Sequence, residues 1–380
     1  MPTRLVAVLT GLALLVLPAL AQEAPRSPTP KPVKLAAKVT DVATGLEHPW
    51  GVELLPDGRF LVTERPGRMR IVGRDGRLSE PLTGVPEVYA RGQGGLLDVA
   101  LSPGFAQDRL VYFSFAESGS DGAGTAVARG RLGERGLEGV QVVWRQQPKV
   151  GGSSNHWGSR LVFRPDGTLF VTVGDRYAHL ERAQDLSTTI GKVVRINPDG
   201  SVPRDNPFVG RSGALPEIWS YGHRNVQAAA LDARGELWTV EHGARGGDEL
   251  NNPQPGKNYG WPVITYGVDY SGARIGIGTA QPGMEQPVYY WDPVIAPSGA
   301  TFYTGSAFPD WRGHLLVGSL NPGALVRLRL ADGRVAEETR YSIDGERVRD
   351  VRQGGDGLIY LLTDNSRGRI IRLERPVASP

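Results

Sequence analysis

Four clusters of polar residues stand where an alternating strand pattern would not put them, and their types suit acid–base work, oxyanion binding and hard-cation binding. The first is Asn155-His156-Trp157-Gly158-Ser159-Arg160, directly before the apolar run Leu161-Val162-Phe163. It is answered by Gly174-Asp175-Arg176, just past the run Leu169-Phe170-Val171-Thr172. If the two runs form a hairpin, its outer ends meet and Asp175 reaches His156. A carboxylate that orients an imidazole makes a general base. The competing reading is a structural histidine at a strand start.

The second cluster is Ser220-Tyr221-Gly222-His223-Arg224-Asn225-Val226-Gln227. Arg224 offers a planar donor fork for a carboxylate or a developing oxyanion. A loop held by side-chain-to-backbone bonds is the alternative. The third runs from Glu241 to Asn251. Its glycines free backbone carbonyls to turn toward a cation, and Asp248 and Glu249 add hard oxygens. That set suits Ca²⁺ and not zinc, since thiols and paired histidines are missing. It does not match an EF-hand loop, and a solvated acidic turn is the alternative. The fourth is Arg347-Val348-Arg349-Asp350. Alternation puts both arginines on one face, where they repel unless an anion lies between them.

The elements that must carry these clusters announce themselves by repetition. A polar turn followed by four apolar or β-prone residues occurs six times, at Phe60-Leu61-Val62-Thr63, Leu110-Val111-Tyr112-Phe113, Leu169-Phe170-Val171-Thr172, Leu237-Trp238-Thr239-Val240, His314-Leu315-Leu316-Val317 and Leu358-Ile359-Tyr360-Leu361. Turn pairs such as Asp-Gly supply the positive φ that tight hairpins need. Consecutive copies start roughly 45 to 80 residues apart, a period that means radial repetition. The expected fold is all-β, a six-bladed β-propeller of four-stranded antiparallel blades, with a β-sandwich as the alternative.

Composition agrees. The chain has 380 residues with 51 Gly and 29 Pro, which fits many short strands and turns. Residues 1–21 begin with Arg4, continue through the apolar run Leu5 to Leu20 and end in Ala19-Leu20-Ala21, the pattern of a secretory signal peptide. The run is too short for a membrane span. Residues 22–38 are Pro-rich and read as a disordered linker, which leaves residues 39–376 for the propeller. The protein is therefore expected to be exported, periplasmic or secreted. It has no cysteine, so packing alone must stabilise it. A net charge of +3, with acids and bases interspersed, argues against nucleic-acid binding.

Taken together the clusters resemble the soluble glucose/sorbosone dehydrogenase family, and within it the aldose sugar dehydrogenases that use pyrroloquinoline quinone. The resemblance rests on His48-Pro49-Trp50-Gly51, Gly92-Gln93-Gly94-Gly95-Leu96-Leu97, His156 with Gly158-Ser159-Arg160-Leu161, Gly222-His223-Arg224-Asn225, Glu241-His242-Gly243, Asp248-Glu249-Leu250-Asn251 and Asn258-Tyr259-Gly260-Trp261-Pro262. It implies a six-bladed propeller that oxidises aldoses at C1 to the lactone, passing a hydride to the quinone and electrons to an external acceptor. By resemblance, His156 takes the proton from the sugar C1 hydroxyl. Arg224 and Asn225 hold the quinone oxygens, and Gln93, Arg347 and Arg349 contact the cofactor or its carboxylates. Gly243 and Ala244 lend carbonyls to the cofactor's calcium, and Glu249 and Tyr259 match a second, structural calcium site. Tyr270 and Trp291 would be aromatic walls of the pocket.

Two positions depart from the glucose-oxidising branch. Asn321, followed by Pro322, stands where that branch has a cofactor-contacting lysine, and Asn155 stands where it has an aspartate. Two other functions remain open on sequence grounds, a calcium-dependent lactonase-type hydrolase and a non-catalytic binding propeller. The expected assembly is a monomer or homodimer.

Overall fold

The computed structural model describes residues 23–375, so the expected signal peptide lies outside the described residues. Six antiparallel sheets follow one another along the chain. Their first strands are Pro49–Leu54, Leu96–Leu101, Leu161–Phe163, Val226–Leu231, Pro297–Phe302 and Val348–Gln353. Each of these touches the first strand of the next sheet, and the sixth touches the first, so they form a closed inner ring. This is a six-bladed propeller, with blades I to VI in chain order. Blade I has three strands and blade V has five, and the others have four.

The repeated phrase falls on one structural position. Phe60–Glu64, Leu110–Gly119, Leu169–Val173, Leu237–Glu241, Leu315–Ser319 and Ile359–Thr363 are the second strands of the six blades. The polar turn before each one returns the chain from the inner ring. Alternate residues of these strands then face the two neighbouring blades. Each seam between blades holds its own apolar cluster. Each fully buried Val, Leu or Ile in a seam contributes roughly 1.5–3 kcal/mol relative to exposure.

The ring closes with strands from both ends of the chain. Strand Lys38–Leu46 pairs with Gly368–Glu374 and forms the outer strand of blade VI. The segment expected to be a free linker lies against the propeller instead. Val33–Lys34 adds a parallel fifth strand to blade V, beside Tyr341–Ser342. Leu35 joins the apolar cluster between blades V and VI. Proline-rich composition predicts freedom only where no partner is offered, and here blade V offers an open edge.

Buried charge occupies the axis. Arg160 is 1 % exposed and donates to Asp98 at 2.9 Å, to the Gln227 carbonyl at 2.8 Å and to the Arg349 carbonyl at 3.1 Å. Asp350 lies 3.1 Å from the same guanidinium. Arg352 contacts Asp98 at 3.2 Å and Asp350 at 3.4 Å. The carboxylates also hold backbone, since Asp98 accepts from the Leu161 amide and Asp350 from the Val52 amide. At Gly299, in blade V, a Cβ would strike the Asp350 carboxylate, so only glycine fits beside it. Arg160 further lies 4.2 Å over the Trp50 ring. Its side chain thereby touches blades I, II, IV and VI from its own place in blade III.

Removing one member of such a network leaves its partners charged and buried, which costs about 3–5 kcal/mol. Arg160→Ala should therefore lower the urea midpoint by a corresponding amount at unchanged m-value. A loss below about 1 kcal/mol in equilibrium unfolding would show that the axis does not depend on it.

Candidate functional site

The loops that precede the inner strands and those that leave the second strands lie at one end of the propeller, and between them they carry the sequence clusters. Blade III supplies His156. Its hairpin pairs Leu161 with Val171 and Phe163 with Leu169, and this brings the residues flanking its open end together. His156 Nδ1 is 2.7 Å from Asp175 Oδ1. An ionised carboxylate only accepts, so Nδ1 carries the proton and Nε2 keeps its lone pair. The second Asp175 oxygen accepts from Trp261 Nε1 at 2.8 Å. The Tyr177 amide donates to Oδ1 at 2.8 Å. Burial would raise the Asp175 carboxyl, but the bond to and charge of His156, together with Arg224, outweigh it and hold it below the usual range. Burial lowers the His156 pKa, Asp175 pulls it back up, and Arg224 and Arg176 add to the lowering.

The backbone around this pair is strained. His156, Ser159, Arg176 and Tyr177 have φ of 57°, 88°, 59° and 58°, in the left-handed region. Such geometry persists only when the surroundings over-determine it. Gln93 Oε1 accepts from the His156 amide at 2.9 Å, and Asn225 Oδ1 from the Gly158 amide at 3.0 Å. The Arg176 guanidinium lies 3.3 Å over the Trp157 ring and donates to the Asn155 and Ser153 carbonyls. A Cβ on Gly174 would lie 2.2 Å from the His156 carbonyl. Gln93 and Asn225, expected at a cofactor, thus also brace the loop that carries His156.

Arg224 sits across a cavity of about 150 Å³ from His156, and Asp175, Tyr177, Ala244, Trp261 and Tyr270 complete most of the wall. Its guanidinium lies 5.2 Å over the Trp261 ring. It donates to the His242 carbonyl and, in a very short contact, to the Gly243 carbonyl. Its Nε is buried without a partner. His242 donates from Nε2 to the Pro297 carbonyl at 2.7 Å, and burial, with Arg224 and His156 nearby, pushes its pKa down to about 3. It is a neutral donor. His223 is structural. It is fully buried, bonded to Glu241 and Ser220, and stacked on Tyr259.

The arginine pair has its anion already. Asp364 Oδ2 accepts from Arg347 at 3.0 Å and from Arg349 at 2.8 Å. Although burial opposes it, these two arginines hold the Asp364 carboxyl far below its ordinary range. Arg349 is buried and also bonds Gln227, leaving Nε unpartnered. The Arg347 side chain is half exposed and donates to the Leu320 carbonyl, next to Asn321. Asn321 is itself exposed.

In the third cluster, the two carboxylates expected to add hard oxygens, Asp248 and Glu249, differ in what they leave free. Asp248 spends its oxygens on the amides of Gly243, Ile295 and Ala296, so it shapes the turn and is not a free ligand. Glu249 faces Glu241 and is raised well above the ordinary carboxyl range by burial, then by Glu241 and Asp248, with the Asn251 amide opposing. Asn251 Oδ1 beside them is buried without a donor. Glu241, Glu249 and Tyr259 border one small cavity, separate from the one that His156 lines. The Tyr259 hydroxyl is committed to the Asn252 carbonyl and the Gln254 amide, so only its carbonyl is free to bind a cation. Unpaired acceptors around surplus negative charge fit Ca²⁺.

Trp291 is corrected. It is fully buried in the core between blades IV and V, with Leu250, Tyr289 and Ile295, and does not line the cavity that His156 and Arg224 share. Tyr270 does face the cavity and is 58 % exposed. Sequence reasoning missed Asp364, Trp261 as a donor to Asp175, and Arg176. Of these, Trp261 and Arg176 had a signal, because each stood within a segment that the sequence already singled out.

Known proteins share this fold along nearly the whole chain. The glucose/sorbosone dehydrogenase family model matches residues 46–372. The aldose sugar dehydrogenase YliI of Escherichia coli (strain K12) is 46 % identical over 336 residues, which is 86 % of this chain and 90 % of that one. The crystal structure of the soluble E. coli aldose sugar dehydrogenase in its apo form superposes with a TM-score of 0.86 at 44 % identity, over 89 % of this chain and 99 % of that chain. The PQQ-bound aldose sugar dehydrogenase of Streptomyces coelicolor gives 0.74 at 30 % identity, over 90 % and 99 %. A family match across nearly the whole propeller, and relatives of this identity and coverage, lead to one conclusion: the chain belongs to the glucose/sorbosone dehydrogenase family.

Proposed function

We propose that this protein is an exported aldose dehydrogenase that oxidises the sugar at C1 to its lactone, with pyrroloquinoline quinone and Ca²⁺ as cofactors and an external electron acceptor. The observation that carries the reading is the buried His156–Asp175 pair, 2.7 Å apart and opening onto the cavity shared with Arg224. The residues fit the cofactors. Arg224 and Arg349 each present a buried Nε with no acceptor, and Arg347 reaches toward solvent at the same mouth. These are sites for quinone oxygens and carboxylates. The Gly243 and Ala244 carbonyls would face the cofactor's calcium. Glu249, the Asn251 amide oxygen and the Tyr259 carbonyl would hold the second.

Bound there, the quinone and its calcium would supply a hydride acceptor. The protein supplies the rest. His156 Nε2 receives the C1 hydroxyl proton, and Asp175 stabilises the imidazolium that forms. Arg224 aims its donors at the charge that develops across the cavity. Tyr177 and Tyr270 flank the sugar and limit water. A hydrolase built around one calcium on the axis is disfavoured, because Asp98 and Asp350 are already bound to Arg160 and Arg352. Export rests on the leader-like residues 1–21.

Three outcomes test this. His156→Ala should lower kcat for aldose-dependent dye reduction by about 10²–10⁴-fold while quinone binding, read by fluorescence titration, persists; near-normal turnover would remove the base role. Because burial lowers the His156 pKa, the acid limb of kcat/KM should fall below the ordinary imidazole value. Asp175→Asn removes the group that favours imidazolium, so the limb should move to still lower pH at a reduced plateau; a shift upward contradicts the pairing. Finally, Arg347→Ala should weaken quinone binding by about 10- to 100-fold, the worth of a charge-assisted bond, without moving Tm. Unchanged affinity would place the cofactor carboxylates elsewhere.

A further inference from the structure

The connection from Asn252 to Val288 in blade IV contains no strand and carries Tyr270 into the cavity. Long connections of this kind are uncommon in compact domains and are usually functional. Its inner edge is fixed, since Val268 and Arg245 exchange backbone bonds of 2.9 and 3.0 Å. That bond ties it to the Gly243–Gly247 turn beside Arg224. Its outer edge is held by residues from the far N-terminal side of the chain. Tyr266, four positions before Tyr270, turns away from the cavity and stacks on Tyr290 at 3.9 Å. Its hydroxyl accepts from the Ala24 amide at 2.8 Å and donates to Gln286 at 2.6 Å. Gln286 in turn donates to the Thr279 carbonyl, and the Thr279 hydroxyl reaches Glu23.

The segment that supplies Ala24 is itself anchored. The Ser27 amide donates to the Tyr290 carbonyl at 2.8 Å, and the Tyr290 amide donates back to the Pro25 carbonyl at 3.1 Å. The Arg26 guanidinium donates to the Asp292 carbonyl at 2.6 Å. Ala24 and Ser27 are 8 % and 5 % exposed, though the segment is proline-rich and has no strand pattern. Without it, Tyr266 would keep its ring stack but lose the donor that fixes its hydroxyl.

We infer that residues Glu23–Ser27 form a strap that positions the sugar-facing loop through the Ala24–Tyr266 hydrogen bond, making Tyr266 a positioning residue for aldose binding. The kinetic consequence rests on the dehydrogenase reading, while the loop-holding consequence does not.

Two variants delete the bond from opposite sides. Tyr266→Phe keeps the stack and removes the hydroxyl. Ala24→Pro removes the amide N–H, whereas Ala24→Gly keeps it and serves as the conservative control. Hydrogen exchange of the full-length protein without cofactor should show amides of residues 264–279, including Thr265, Val268 and Ile277, exchanging roughly three- to tenfold faster in Tyr266→Phe and Ala24→Pro, the worth of about one hydrogen bond. Ala24→Gly should match the wild type, and exchange in the other blades and Tm should not change. In the reconstituted enzyme, the KM for glucose should rise by a similar factor with kcat within about twofold. Exchange unchanged in the loop overturns the strap. So does exchange that rises throughout the propeller with a fall in Tm, which would mean a merely structural contact. Faster loop exchange with wild-type KM overturns the link to sugar binding. A wild type that responds in exchange but oxidises no aldose leaves the loop-holding role supported and fails the dehydrogenase reading instead.

Discussion

Everything in this molecule is referred to one buried guanidinium. Arg160 ends the loop that carries His156 and places its charge on the propeller axis, where inner strands of blades I, II, IV and VI meet it. Six wedges packed only by apolar seams would be free to slide against one another, because apolar packing is not directional. A planar fork with fixed donor directions is directional. The network fixes the register of blades I, II, III, IV and VI together, and His156 stands four residues from its centre. Side-chain geometry within a fraction of an ångström follows more easily from that proximity than from loop packing.

The site at the mouth has a common electrostatic design. Cations there have resident partners, Arg347 and Arg349 in Asp364 and Arg224 in the His242 and Gly243 carbonyls. Each nevertheless keeps capacity, as a buried unpartnered Nε or a solvent-facing fork. Like charges thus stay close without driving the loops apart, and a ligand with acceptors finds donors already aimed. The carboxylates of the third cluster show the opposite arrangement. Glu241 is saturated and Glu249 is not, and burial with the neighbouring carboxylates holds the Glu249 carboxyl well above the ordinary range.

The fold was largely written in local pattern. The six turn-and-strand phrases mark one strand of each blade because hairpin turns and apolar alternation are short-range signals. His156 and Asp175 were also legible, since the hairpin that joins them spans few residues. What was not legible depends on long-range partners. Asp364 meets Arg349 across a hairpin that alternation does not resolve, and no pattern tells Asp248 that three amides will use its oxygens. Trp291 shows the reverse error, an aromatic assigned to the pocket by analogy although period two buries it in a seam. The proline-rich segment was misread because composition measures the entropy a segment would lose and not the edge strand waiting for it.

The closure of blade VI carries a kinetic implication. Asp41 and Arg369, joined by two hydrogen bonds across its outermost pair of strands, are separated by 328 positions along the chain. Loop-closure entropy makes contacts of such separation late ones, and topologies rich in them fold slowly. Blades I to V can each assemble as the polypeptide emerges, but the ring stays open until its last strand arrives. Until then the outer edges of the first and last pieces are unpaired and able to bind another chain. A polypeptide that crosses a membrane before folding would present those edges for the whole of that interval, and Arg369 and Arg372 of strand Gly368–Glu374, with Lys38 of strand Lys38–Leu46, are the charges that keep such edges from sticking.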